Sequence, residues 1–126
     1  MDQYVGLHLS LKETSISVRQ NRNRIWRGKC SSHPKAAAEA IRKHAADAVL
    51  VVFETGPLAT WFHRCLIAEG LPAVCIDARH AKAALNTAPN KTDTNDADGL
   101  SLLAEAGFFR EVRVKSFKAM RAEQSR

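Results

Sequence analysis

The carboxylates of Lys91-Thr92-Asp93-Thr94-Asn95-Asp96-Ala97 are the residues whose type and spacing point most directly to chemistry. Asp93 and Asp96 are three apart, which on a helix sets both on one face of the first turn. Two anions side by side repel unless something positive sits with them. Two readings of the stretch stay open. In one, Thr92 or Asp93 caps a helix running through Leu100, Leu103 and Ala104, and the acids are favoured by the helix dipole. In the other, the acids are half of a divalent-metal site whose remaining carboxylates come from elsewhere in the chain. The second reading needs an acid at the end of a buried strand. Glu54 meets that need, because it closes the apolar run Ala48–Phe53, and a glutamate there is rarely buried without a partner.

The elements that must position these acids follow from periodicity. Tyr4 to Ser10 alternates, with Val5, Leu7 and Leu9 on one face and Gly6, His8 and Ser10 on the other. Thr14 to Arg19 alternates again, with Ile16 and Val18 inward. Asn21-Arg22-Asn23 supplies a turn into a third strand over Ile25–Lys29, so three strands form an antiparallel meander. Ser32-His33-Pro34 opens a helix carried by Ala36–Ala46. The run at 48–53 has the character of a central strand covered on both faces. A helix with Leu58, Trp61, Phe62, Cys65 and Leu66 on its buried stripe follows and stops at Gly70. Leu71–Ile76 is a short strand, and Asp77 caps a helix through Leu85. Thr87–Asn90 is a loop before the acidic helix, which ends near Gly107. Glu111–Lys115 is a last short strand, and the tail Phe117–Arg126 is helical with little apolar face. Right-handed crossovers make this an α/β domain with one mixed sheet and helices on both faces.

Composition bounds the function. A chain of 126 residues, 45% hydrophobic and 25% charged, suits one compact soluble domain. No apolar run approaches the roughly 20 residues that span a bilayer, and Met1-Asp2-Gln3-Tyr4 does not open a signal peptide. Membrane partners are therefore not expected. Cys30, Cys65 and Cys75 are odd in number and lack CxxC spacing, which argues against a disulfide framework or a zinc site and for the cytoplasm. The net charge of +6 is uneven: residues 1–45 carry nine Lys/Arg against three acids, 46–109 four against eight, and 110–126 six against two. Basic flanks around an acidic centre suit a metal-dependent nuclease, with cations for phosphates and carboxylates for metal. Arg19, Arg22, Arg24, Arg27 and Lys29, with Lys115, Lys118 and Arg121 in the tail, are the expected phosphate contacts. A merely solvated Arg-rich surface is the alternative. His80 and Lys82 face phosphates or solvent equally well, and Trp61 and Phe62 belong in the core.

The element order, with an acid ending a central strand and more acids on a late helix, resembles the ribonuclease H-like fold: a mixed five-stranded sheet, three antiparallel strands then two parallel, with helices on both faces. Four motifs are more specific: Tyr4-Val5-Gly6-Leu7-His8-Leu9-Ser10, Phe53-Glu54-Thr55-Gly56-Pro57, Asp77-Ala78-Arg79-His80-Ala81-Lys82 and the stretch 91–97. Together they resemble the RuvC-like N-terminal domain of the DEDD transposases, the bacterial insertion-sequence family numbered one hundred and ten. The resemblance implies DNA transposition and recombination by metal-dependent phosphodiester chemistry, with magnesium or manganese as cofactor. It implies DNA as partner, an element-encoded guide RNA, and a homo-oligomer. It divides the chain into a RuvC-like domain at 1–115 and, at 116–126, the start of a helical linker toward a C-terminal domain carrying a serine nucleophile.

Residue by residue, Glu54 matches the family's second acid, Asp93 the third and Asp96 the fourth; these three are the implied metal ligands. His8 stands where the first acid belongs, and it completes the implied catalytic set His8, Glu54, Asp93 and Asp96. Imidazole suits zinc, copper or nickel better than magnesium, and a neutral ring removes one anion from a site built for about +4. His8 is a substituted ligand, a working alternative ligand or a bystander; protonated, it can pair with Glu54. Two function classes follow: the catalytic-type domain of a transposase, impaired at His8, or a non-catalytic nucleic-acid-binding or assembly module. An actin-like ATPase of related fold is disfavoured by the lack of glycine-rich phosphate loops.

Overall fold

Alternating apolar residues set the sheet. A computed structural model describes residues 1–77 and 93–113, with the backbone alone at 93–95. The described elements are β1 (Gln3–His8), β2 (Glu13–Gln20), β3 (Asn23–Ser31), α1 (Pro34–His44), β4 (Ala48–Glu54), α2 (Ala59–Ala68), β5 (Ala73–Ile76) and α3 (Asp93–Ala106). The expected helix from Asp77 through Leu85, the loop at Thr87–Asn90, the residues His80 and Lys82, and the tail Phe117–Arg126 lie outside the described residues.

The five strands form one sheet in the order β3-β2-β1-β4-β5. β1, β2 and β3 pair antiparallel, and β1–β4 and β4–β5 pair parallel. This is the mixed sheet expected from the sequence. The β2–β3 connection is a two-residue turn with Asn21 at φ 53° and Arg22 at φ 68°. Both central residues need positive φ in the turn that fits the strand twist, and asparagine tolerates it better than arginine. The cost at Arg22 is offset by its backbone N–H, which donates to Glu105 Oε2 at 2.9 Å.

Glycines end the two helices that need a sharp stop. Gly70 (φ +82°) follows α2, and Leu71 N–H reaches back to the Leu66 carbonyl. Gly107 (φ +72°) follows α3, and Phe108 N–H reaches the Leu103 carbonyl. Both are the left-handed cap in which a missing Cβ removes the steric penalty. α1 starts differently: His33 Nδ1 accepts from the Lys35 N–H at 3.2 Å, and Pro34 takes the first helical position.

α1 and α2 cover one face of the sheet. Val5, Leu7, Ile16, Val18, Val51 and Phe53 pack there against Ala37, Ala38, Ile41, Phe62 and Leu66. Trp61 is half-buried against that core rather than free as a stacking platform. α3 covers the other face, where Val52 and Ile76 meet Leu100, Leu103 and Ala104. Of the expected last strand, residues 111–113 are described, and they make one antiparallel bridge, Ile76 to Glu111, with Val112 N–H bonded to the Cys75 carbonyl. Among the described residues no helix is long and apolar enough to cross a membrane.

Candidate functional site

β1 and β4 are parallel neighbours in the register Tyr4 to Leu50, Val5 to Val51 and Gly6 to Val52. Two residues further along, His8 ends β1 and Glu54 ends β4, so the same register sets them level. Side chains alternate faces with period two, so His8 shares the face of Gly6 and Glu54 that of Val52. That face belongs to α3.

Gly6 is what lets α3 come down onto the sheet. A Cβ there would lie 2.4 Å from the Ala97 carbonyl oxygen, 2.4 Å from the Ser101 nitrogen and 2.9 Å from Leu100 Cβ. With no side chain at Gly6, the backbones touch, and Ser17 Oγ lies 3.0 Å from Ser101 Oγ in a fully buried contact. This close approach carries the first turn of α3 over the end of β1. Asp96 Oδ2 then lies 3.7 Å from His8 Nδ1, with the two side chains 38% and 26% exposed. That is too long for a hydrogen bond and within range of an ion pair when the imidazole is protonated.

The sheet order of the resembled fold implies His8 beside Glu54, and the β1–β4 register sets the two level. The sequence offered Glu54 as the acid for a protonated His8; the structure brings Asp96 to ion-pair distance of that ring. Asp93 opens α3, but its side chain is not described. Among the described residues no three His, Cys, Asp or Glu side chains group closely enough to hold a metal ion. His8 and Glu54 line one cleft of about 200 Å³, whose other walls include Leu9, Leu11, Pro57 and Leu58. Polar groups thus sit in an otherwise apolar mouth, as binding sites commonly do. Cys75, buried in β5, registers the same acid: burial first, then the negative charge of Glu54, pushes its thiol up to about 11.

The basic hairpin is used differently from the sequence expectation. Arg19 Nε donates to Glu105 Oε1 at 3.0 Å, and this pair is only 17% and 15% exposed. Arg24 and Arg27 both reach Asp98 Oδ2, at 2.9 and 3.4 Å. Three of the five hairpin cations expected at phosphates are therefore paired with acids of α3: Arg19 in a nearly buried pair that needs its counter-charge, and Arg24 and Arg27 at the rim, with side chains 42% and 43% exposed. Asp98 and Glu105 were not singled out from sequence. Their signal was available: they are seven apart, two helical turns, with Ser101 between them on the same stripe. Burial raises the Glu105 carboxyl, but the Arg22 N–H and the Arg19 guanidinium outweigh it and hold it below the ordinary range.

No protein-family model matches the chain, and no curated protein matches it. Solved structures do. Thermus thermophilus RuvC in complex with a Holliday junction substrate aligns with a TM-score of 0.63 at 11% identity, over 89% of this chain and 100% of that one. A second Thermus thermophilus RuvC structure aligns with a TM-score of 0.60 at 11% identity, over 87% and 99%. The fold is RuvC-like and ribonuclease H-like, in agreement with the expectation from element order.

Proposed function

We propose that this chain is a nucleic-acid-binding domain of RuvC-like fold, of the type that opens the DEDD transposases, with its phosphodiester chemistry impaired at His8. The observation that carries the reading is the meeting of His8 and Asp96 at the strand ends, level with Glu54, in a RuvC-like fold. The transposase assignment rests on the motifs around His8, Glu54, Asp93 and Asp96, and DNA as partner rests on the basic composition and on the RuvC likeness.

Magnesium is the ion such a fold implies, and the donor set suits it poorly. Magnesium prefers hard oxygens in octahedral geometry and dehydrates reluctantly. Here one position holds an imidazole nitrogen 3.7 Å from a carboxylate that the ion would need. When protonated, that ring neutralises Asp96 and leaves the pocket with less charge than a pair of divalent ions requires. The same contact favours a second reading, a non-catalytic binding or assembly module descended from such a domain.

The test is calorimetric titration of magnesium and manganese into the wild type and His8→Asp. The aspartate form is expected to bind magnesium about fivefold tighter or more, since one added anion close to the ion contributes on the order of 1–4 kcal/mol at effective dielectrics between water and a protein surface. Equal affinity in the two forms would remove His8 from the ligand position. Cleavage of DNA by the wild type with magnesium would overturn the impairment and favour the catalytic reading outright.

A further inference from the structure

The strand registers extend the site across the sheet. His8 pairs with Ser15 on β2, and Ser15 pairs with Lys29 on β3. Directly opposed residues of antiparallel strands share a face, so Glu54, His8, Ser15 and Lys29 form one row at one end of the sheet. The row before it starts under α3, with Val52, Gly6 and Ser17 covered, and ends at the rim with Arg27. The two rows treat their cations differently. Arg27 is held by Asp98. Lys29, one row further out, is exposed like Arg27, but its side chain makes no ion pair or hydrogen bond among the described residues. Arg19 and Arg24, on the same face, are also held by acids of α3.

Resting on the reading of this end of the sheet as a nucleic-acid site, we propose that Lys29 is a positioning residue that anchors a backbone phosphate of the bound strand. Strands are about 4.8 Å apart, so Lys29 stands about 10 Å from His8 along the row. That is close to three base steps of rise along a duplex axis, at about 3.4 Å per step. A phosphodiester backbone crossing the strand ends therefore passes the acidic end and Lys29 together. Lysine suits this task as a solvated point charge on a flexible stem, which needs no second partner to fix it. The chemistry recognised is the phosphate, which DNA and RNA share.

The experiment is fluorescence anisotropy of the full chain with labelled DNA and RNA oligonucleotides of one sequence, across a salt series. Lys29→Ala is expected to weaken binding several-fold and to lower the slope of log affinity against log salt by about one unit. Lys29→Arg should keep the slope, and Arg27→Ala, which loses an internal partner, should leave it unchanged while lowering thermal stability. An unchanged slope in Lys29→Ala, with the wild type binding, overturns the inference and leaves the proposed function standing. Absence of binding by the wild type overturns both. A loss confined to the DNA arm or to the RNA arm supports the anchor and identifies the strand it serves.

Discussion

On the α1/α2 face, Val5, Leu7, Ile16, Val18, Val51 and Phe53 meet Ala37, Ala38, Ile41, Phe62 and Leu66, all fully buried. On the α3 face, β4 and β5 supply a smaller apolar patch, Val52 and Ile76 against Leu100, Leu103 and Ala104, while β1 and β2 present Gly6, His8, Ser15, Ser17 and Arg19, and the helix answers these with Asp96, Ser101 and Glu105. The first face gains its stability from apolar area, which is non-directional and tolerant of small shifts. The second has the smaller apolar cluster and adds pairwise contacts along β1 and β2 that fix where α3 sits. It is also the face that carries the candidate site. A helix located by specific contacts can hold Asp96 over His8 in a way that apolar packing alone would not define.

The largest break in this contrast is expected at Gly6. On the α3 face a single added methyl group meets backbone at 2.4 Å on two atoms, and backbone cannot move aside as a side-chain tip can. Gly6→Ala should cost about 3 kcal/mol, the upper part of the overpacking range, and should move α3 away from β1. Urea denaturation measures the cost, and the separation of Asp96 from His8 in the variant's crystal structure measures the shift. A loss below about 1 kcal/mol would show that α3 does not rest on β1 as closely as the contact implies.

The contrast also explains what was legible in the sequence. The apolar face follows from residues whose pattern is local: the alternation at Val5 and Leu7, that at Ile16 and Val18, and the unbroken run into Glu54. Glu54 at a strand end and Asp96 in a first helical turn are legible for the same reason. The polar face is different. Ser15 and Ser17 are 3% and 0% exposed, although alternation alone gives no sign that anything covers them. The partners of Ser17, Arg19 and Arg24 lie 84, 86 and 74 residues along the chain, beyond any periodicity argument. The arginines of the hairpin therefore carry the same sequence signal whether they face phosphate or an acid of α3.

A sharper test of the polar face is the far end of α3. Glu105 accepts from Arg19 Nε and from the Arg22 N–H, and together these hold its carboxyl below the ordinary value of 4.5. A group with a lowered folded pKa contributes stability above its unfolded value and loses it as pH falls through the folded one. Glu105→Gln should cost about 2 kcal/mol at neutral pH, the range for a hydrogen bond to a charged group. The gap between the two proteins should narrow as the pH drops below about 4.5. A gap that stays constant on acidification would mean that the charge of Glu105 plays no part in holding the turn.

The smallest expected effects separate the faces most cleanly, because they test coupling rather than size. Ser101 Oγ donates its one proton to the Asp98 carbonyl at 2.9 Å. Its contact with Ser17 Oγ at 3.0 Å must then run the other way, with Ser17 donating and Ser101 accepting. The two truncations are therefore unequal. Ser17→Ala removes a donor and leaves Ser101 its bond to the helix, costing about 1 kcal/mol. Ser101→Ala strands the buried Ser17 hydroxyl without its acceptor, costing about 2 kcal/mol. Removing both hydroxyls leaves no stranded group, so the double variant should be no less stable than Ser101→Ala alone. A double-mutant cycle by urea denaturation reads this as a non-additive term of about 1 kcal/mol. Val5→Ala and Leu66→Ala on the apolar face, combined in the same way, should come closer to additive if area alone holds that face. Additive costs at Ser17 and Ser101 would mean that the hydroxyls act independently, and that α3 is located by Gly6 and the ion pairs without them.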